Sequence, residues 1–256
     1  MTLWWHFFRA DLTRCLGAPT FALAVLLIGG TRLVGIVQEV LIVGDVNVLY
    51  LHALGEFSVA VTFLGPLVYS TAFVSDYQSG FMTYCVKRGS IPGYAWSKIS
   101  CVALTSALAT VLGLGLFYGL LAIRFPIVQP DGTVQSLGSI APYGALLLTG
   151  HPRLYLAVMT LLDALLSAVL AASAICLSCF IPNLFVALCS PILVYYLAIN
   201  AFPYGRLSPY RVLVTASVDM GGVGLSLLYA AAYAAACVAV LGFIFAWGVR
   251  RRVAYG

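Results

Sequence analysis

Residues 97–123 read SKISCVALTSALATVLGLGLFYGLLAI. This continuous apolar run is long enough to cross the hydrocarbon core of a bilayer, which takes about 20 helical residues. A transmembrane β-strand would instead alternate apolar and polar residues over about 10 positions. Because backbone polar groups in lipid need partners within the chain, the run predicts a membrane-spanning α-helix.

The whole chain has the composition of an integral membrane protein. Of its 256 residues, 62% are hydrophobic and only 8% are charged, and the mean hydropathy is +1.04. A soluble domain is about 45–50% apolar and about 25% charged. A water-soluble fold of this length has no interior large enough for so much apolar surface. We therefore expect an all-α integral membrane protein.

Further apolar runs predict six transmembrane helices in a single domain that covers residues 1–256. The predicted spans are 20–43, 54–75, 97–123, 157–180, 184–203 and 226–248. The first run also has the length of a signal peptide, but Arg32 lies inside it and other spans follow, so we expect it to be retained. No internal repeat or linker in the sequence marks a second domain.

The lysines and arginines in the loops and at the ends of these spans predict a cell-membrane protein with both termini in the cytoplasm. In that orientation eight of them lie inside and four lie outside, as the positive-inside rule requires. The inside set is Arg9, Arg14, Lys87, Arg88, Lys98, Arg250, Arg251 and Arg252, and the outside set is Arg124, Arg153, Arg206 and Arg211.

Residues 1–18 predict an amphipathic helix that lies on the cytoplasmic leaflet before the first span. One arc of the helical wheel is apolar, with Asp11 at its edge and Arg9 largely opposite. The arc comprises Trp4, Trp5, Phe8, Leu12, Cys15 and Leu16. Tryptophan beside arginine is typical of an interfacial helix, and Pro19 then breaks it. The alternative is that the first span simply starts early.

Segment 76–98, between the second and third spans, predicts a short helix, a turn and the start of the third span. Its aromatic and basic side chains share one helical face by i, i+3 and i+4 spacing, namely Tyr77, Phe81, Tyr84 and Arg88. Gly89 is typical of a helix end, and Ser90 with Pro92 of a restart. An exposed helix with an aromatic stripe needs a cover, either lipid headgroups or a partner protein.

The same segment resembles the permease subunits of ABC-2 type transporters. Those chains have an N-terminal interfacial helix, six spans and, after the second span, an acid, a glycine, a proline and a final lysine. The matching residues here are Asp76, Gly80, Pro92 and Lys98, where the family more often has glutamate at the first position. The topology covers the whole chain, whereas the motif covers only this segment.

The resemblance implies that segment 76–98 is a coupling helix seated in a groove of a cytoplasmic ATPase. The implied coupling residues are Asp76, Tyr77, Gly80, Phe81, Tyr84, Arg88, Pro92 and Lys98. Two permease chains, identical or related, would form the path, and residues 204–225 would hold short re-entrant helices. ATP and Mg²⁺ would bind the partner ATPase.

The chain itself has no phosphate-binding loop of the form G-x-x-x-x-G-K-[ST]. Its only lysines are Lys87, which Arg88 follows, and Lys98, which Ile99 follows. The chain is therefore expected to hold no cofactor and to be a transport subunit and not an enzyme. Energy would come from a partner or from an ion gradient.

Ionisable residues inside the predicted spans are the candidates for intramembrane chemistry. They include Arg32, Glu39, Glu56 and Asp163. An unpaired charge in the membrane costs at least about 2.5–3.5 kcal/mol. Because Arg32 and Asp163 lie at similar depths, we predict that Arg32 faces the bundle interior and pairs with Asp163, Glu56 or Glu39. The sequence leaves open whether such a pair is structural or contacts the substrate.

The cysteines and histidines do not predict a metal or redox site. Cys176 and Cys179 form C-x-x-C at helical spacing, but no histidine lies nearby to complete a zinc site. Every cysteine falls in a predicted span or on the cytoplasmic side, so we expect thiols that pack between helices. His6, His52 and His151 lie away from the span centres, which argues against a bound haem.

The function predicted is that of a permease subunit of an ABC-2 type transporter, one that exports a peptide, a lipid-like molecule or a hydrophobic drug. The alternative is an ion-coupled secondary carrier that uses Arg32 and Asp163 and follows a proton or sodium gradient. A membrane-embedded enzyme has no nucleophile–base pair to support it. The sequence does not identify the cargo, the direction of transport or whether the two permeases are identical.

Overall fold

The computed structural model of the chain is a bundle of α-helices. The structure describes residues 3–43, 63–124, 142–201, 208–214, 218 and 220–255. The helices are α1 (Leu3–Leu16), α2 (Pro19–Val43), α3 (Ala72–Gln78), α4 (Phe81–Arg88), α5 (Ile91–Arg124), α6 (Ala145–Leu148), α7 (Pro152–Phe180), α8 (Leu184–Ala201) and α9 (Val223–Tyr255). No strand occurs within these ranges, and the predicted all-α class is confirmed.

Four of the described helices, α5, α7, α8 and α9, are long and apolar enough to cross a membrane. A fifth span results if α1 and the first part of α2 count as one helix, bent by 59° between Leu16 and Pro19. The chain is therefore an all-α membrane protein with four or five candidate spans in its described part, where the sequence predicts six.

The predicted second span, 54–75, is not one continuous helix in its described part. Its first residues, 54–62, lie outside the described part. The remainder is a 3₁₀ turn, Pro66–Val68, followed by α3 from Ala72. Pro66 lacks the N–H that a helix needs at this position. Gly65 packs so closely on α5 and α7 that a Cβ would lie 2.6 Å from the Thr110 hydroxyl oxygen.

Helices α5, α7 and α9 extend beyond the predicted spans because hydropathy marks only the lipid-facing length of a helix. Helix α5 begins at Ile91, where the Ser90 hydroxyl accepts a hydrogen bond of 3.1 Å from the backbone N–H of Gly93. A serine in this position satisfies one of the unpaired N–H groups of the first turn. Helix α9 continues to Tyr255 and carries Arg250–Arg252 in its last turns.

Helix α7 lies at the centre of the bundle and packs against α5, α8 and α9. Small side chains allow the close approach, since Ala171, Ala172 and Ala174 are all fully buried. A hydroxyl pair joins α5 to α7, with the Ser106 and Ser167 Oγ atoms 2.6 Å apart. Such an interhelical bond contributes about 0.6 kcal/mol in a membrane.

The outer faces of α8 and α9 carry large apolar side chains that the described chain does not cover. Those more than half exposed include Phe185, Leu193, Leu197, Leu228 and Phe243. Exposed apolar faces of this kind suit lipid or another membrane protein. In the described part of segment 204–225, Tyr210–Val214 form a π-helical turn whose Val212 and Leu213 are buried.

Candidate functional site

Segment 76–98 comprises the end of α3, a tight turn, α4 and the first turns of α5. Gly80 has φ +71°, a left-handed conformation that favours glycine, and its turn separates α3 from α4. Gly89 follows the last residue of α4, and α5 begins at Ile91. The predicted order of short helix, turn and third span is confirmed.

Helix α4 has one face in the bundle and one face exposed. Met82 and Cys85 are each 4% exposed and pack in the core. On the exposed face, the Phe81 and Tyr84 rings stack with centroids 6.3 Å apart and are 41% and 49% exposed. Burial raises the pKa of the Cys85 thiol, and the negative charge of Asp76 raises it further. The aromatic pair therefore projects from a helix whose other face, with Met82 and Cys85, is packed in the core.

Tyr77, predicted on the same face as Phe81, lies on α3 instead. It stacks on Phe73, with ring centroids 6.1 Å apart. The guanidinium carbon of Arg252 lies 5.4 Å from the centre of its ring. Arg252 also donates a hydrogen bond of 3.1 Å from Nε to the backbone carbonyl of Cys179. The turn before α4 thus splits the predicted stripe, and Tyr77 is held by the ends of α7 and α9.

Asp76 and Lys98 meet in a buried group of charges. The Lys98 Nζ lies 2.7 Å from Asp76 Oδ2 and 2.7 Å from Asp11 Oδ1. The side chains of Lys98, Asp76 and Asp11 are 1%, 2% and 10% exposed. Arg14 adds a second cation 3.6 Å from Asp76 Oδ1, but its side chain is 60% exposed. We call Asp11, Arg14, Asp76 and Lys98 the Lys98 cluster.

Each carboxylate in the Lys98 cluster also accepts a hydrogen bond from a tyrosine. Tyr69 donates a hydrogen bond of 3.2 Å to Asp11 Oδ1, and Tyr94 donates one of 3.0 Å to Asp76 Oδ2. The Lys98 ammonium lies 5.5 Å and 5.7 Å from the centres of these two rings. Each buried carboxylate therefore has an ammonium and a phenol as partners, which is the condition under which buried charges are tolerated.

The structure separates the implied coupling residues into an exposed set and a buried set. The exposed residues are Tyr77, Gly80, Phe81, Tyr84 and Pro92, and Arg88 is the last residue of α4. Asp76 and Lys98 are buried, so a direct contact between either of them and a docked partner does not fit their position. Their ion pair joins α3 to α5 in the interior of the protein.

Helix α1 packs on the bundle through part of the predicted apolar arc. Cys15 is fully buried and Asp11 is buried beside it, whereas Trp5 and Leu16 are 39% and 43% exposed. The arc is thus divided between the bundle and the surroundings, where the sequence predicts one lipid-facing surface. Asp11 lies at the edge of that arc because it binds Lys98. A charge on an apolar face is the one sequence signal that pointed to this contact.

A second ion pair lies deep in the bundle. Arg32 on α2 and Asp163 on α7 are 3.8 Å apart, with side chains 6% and 18% exposed. The Nε of Arg32 is buried and has no hydrogen-bond acceptor among the described residues. Asp163 is one of the three predicted partners of Arg32. The side chain of Glu39 and the whole of Glu56 lie outside the described part.

The remaining predicted chemistry concerns metal and thiol groups. Cys176 and Cys179 lie on α7, both buried and neither in a disulfide. Within the described ranges no three histidine, cysteine or acidic side chains lie close enough together to hold a metal ion.

Comparisons of the chain with protein families, with curated proteins and with solved structures found no match.

Proposed function

We propose that the chain is the transmembrane permease subunit of an ATP-driven transporter of the ABC-2 type, powered by a separate cytoplasmic ATPase. The observation that carries the proposal is α4, a short helix that exposes Phe81 and Tyr84 while its other face is fixed in the core. An exposed aromatic pair on a rigid base suits a protein groove, because aromatic side chains provide large contact area at low entropic cost.

Both ends of α4 are attached to α5. After α4 the chain enters α5 directly, and before α4 the carboxylate of Asp76 on α3 binds Lys98 on α5. A displacement of α4 is therefore transmitted to α5 instead of being absorbed by a mobile loop. The long helices that surround α7 would then tilt as rigid bodies, as in other two-state membrane machines.

The other parts of the proposal follow from the resemblance to ABC-2 permeases. The uncovered apolar faces of α8 and α9 suit lipid and a second permease chain, identical or related. ATP and Mg²⁺ belong to the partner, both termini of this chain lie in the cytoplasm, and the cargo is a peptide, a lipid-like molecule or a hydrophobic drug. The resemblance favours export as the direction of transport.

Co-purification tests the proposal. The chain is co-expressed with an ATPase encoded in a neighbouring reading frame and purified in mild detergent. We expect Phe81→Asp and Tyr84→Asp to lose the ATPase, because a carboxylate replaces the aromatic contact. Thr83→Asp is the matched control: it adds the same charge to an exposed position of α4 and is expected to keep the ATPase. An ATPase that stays bound to Phe81→Asp, or never binds the wild type, contradicts the proposal.

A second candidate function is an ion-coupled carrier. The Arg32–Asp163 pair favours it, since the Arg32 Nε lacks an acceptor among the described residues and intramembrane charges often mark transport paths. A carrier loses transport when an ionophore collapses the proton or sodium gradient and keeps it when ATP is depleted. An ABC-2 transporter shows the opposite response.

A further inference from the structure

The Lys98 cluster buries more negative charge than the neutralisation of Lys98 requires. One ammonium group needs one carboxylate, and Asp76 already lies 2.7 Å from it. Asp11 places a second carboxylate at the same distance. Arg14, the additional cation, is near Asp76 and is mostly exposed. Because burying a carboxylate is unfavourable, charge balance alone does not explain Asp11.

What Asp11 adds is a connection between segments. Asp11 belongs to α1, whereas Asp76 belongs to α3 and Lys98 to α5. Tyr69, which precedes α3, donates a hydrogen bond to the same Asp11 oxygen that binds Lys98. One buried ammonium therefore fastens α1 and α3 to α5 at a single point.

Helix α1 is in turn joined to α2 by a very short link. Helix α2 begins at Pro19, three residues after α1 ends at Leu16. Helix α2 carries Arg32, which pairs with Asp163 on α7. A movement of α1 therefore reaches the intramembrane ion pair through one helix.

We infer that Asp11 is a positioning residue that makes α1 move together with α3, α4 and α5, an inference that rests on the proposed docking of an ATPase on α4. Asp11 acts through Lys98 and touches neither the partner nor the cargo. On this basis α1 is more than a membrane anchor, because it moves together with α3, α4 and α5 when the ATPase acts on α4.

Distances between spin labels on the permease–ATPase complex test this role. One label replaces exposed Ile181, at the end of α7, and the second replaces either exposed Lys87 on α4 or exposed Arg9 on α1. The Lys87 pair reports movement of α4, and the Arg9 pair reports movement of α1. In the wild type we expect ATP to change both distances. In Asp11→Asn, which keeps the size of the side chain and leaves Lys98 paired with Asp76, we expect only the Lys87 distance to change.

Asp11→Glu is expected to restore the ATP-dependent change of the Arg9 distance, because it restores the carboxylate. Tyr69→Phe removes one hydrogen bond from Asp11 and is expected to lose part of that change; this variant keeps the test decisive if Asp11→Asn does not fold. An Arg9 distance that responds fully to ATP in Asp11→Asn overturns the inference, and so does a full response in Tyr69→Phe if Asp11→Asn does not fold. A Lys87 distance that ignores ATP in the wild type overturns the proposed function itself.

Discussion

Replacing Lys98 by methionine is expected to destabilise the protein strongly. Methionine fills much of the same volume but leaves Asp11 and Asp76 buried without the ammonium group that both contact at 2.7 Å. Removing one partner of a buried ion pair costs about 3–5 kcal/mol, because the remaining charge is left uncompensated. Arg14 offsets little of this cost, since its side chain is 60% exposed and solvent screens it.

The free energy of unfolding in mixed micelles, measured by titration with SDS, checks this value. The matched variant carries Lys98→Met together with Asp11→Asn and Asp76→Asn, and so removes the charges along with their partner. It is expected to recover part of the loss, because no uncompensated charge is left buried. A cost below about 1 kcal/mol for Lys98→Met, typical of a surface pair, would refute the reasoning.

Three further predictions concern other parts of the bundle. Gly65→Ala is expected to cost about 1–3 kcal/mol in the same titration, because its Cβ would overlap side chains on α5 and α7. Cys85, as the single cysteine of an otherwise cysteine-free variant, is expected to react slowly with maleimide at pH 7.5 and faster as the pH rises, because its raised pKa keeps the thiolate scarce. Asp163→Asn is expected to cost at least about 2.5–3.5 kcal/mol by leaving Arg32 unpaired, and Arg32→Met with Asp163→Leu to recover part of it.

Each of these predictions has a control in the chain. Gly115→Ala meets no atom within 4 Å and is expected to leave the stability unchanged, so equal losses at both glycines would contradict the packing argument. A cysteine at exposed position 84, with Cys85 replaced, is expected to react quickly at pH 7.5; equal rates at the two positions would contradict the burial of Cys85. For the ion pair, a double variant as unstable as Asp163→Asn alone would show that the charges are not coupled.

The local features of the site follow from short sequence signals. Gly89 ends α4 and Ser90 begins α5 because each acts on its own neighbouring backbone, so their positions are visible in sequence. A pairing of Arg32 with Asp163, Glu56 or Glu39 was also predicted, because a buried charge needs a partner at similar depth, and the structure places Asp163 3.8 Å from Arg32. Both inferences require only the one-dimensional order of residues and the thickness of the membrane.

The only sequence signal for the Lys98 cluster is the charge of Asp11 at the edge of an apolar helical face, and it does not identify the partner. Lys98 and Asp11 are 87 positions apart, and the docking of α1 on α5 that brings them together is a tertiary contact. The split between Tyr77 and Phe81 was missed for a different reason, since helical spacing assumes a continuous helix and Gly80 interrupts it. The break at Pro66 was hidden because hydropathy averages over the residues of a span and is insensitive to a single missing N–H.

Photocrosslinking from position 81 tests the docking of an ATPase on α4 most directly. A photoreactive phenylalanine analogue replaces Phe81 in cells that also produce the candidate ABC ATPase. The matched position is Phe243, which is 67% exposed on the apolar face of α9. The predicted result is a covalent adduct with the ATPase from position 81 and none from position 243. Lipid adducts alone at position 81, or ATPase adducts of equal yield at both positions, would contradict the docking.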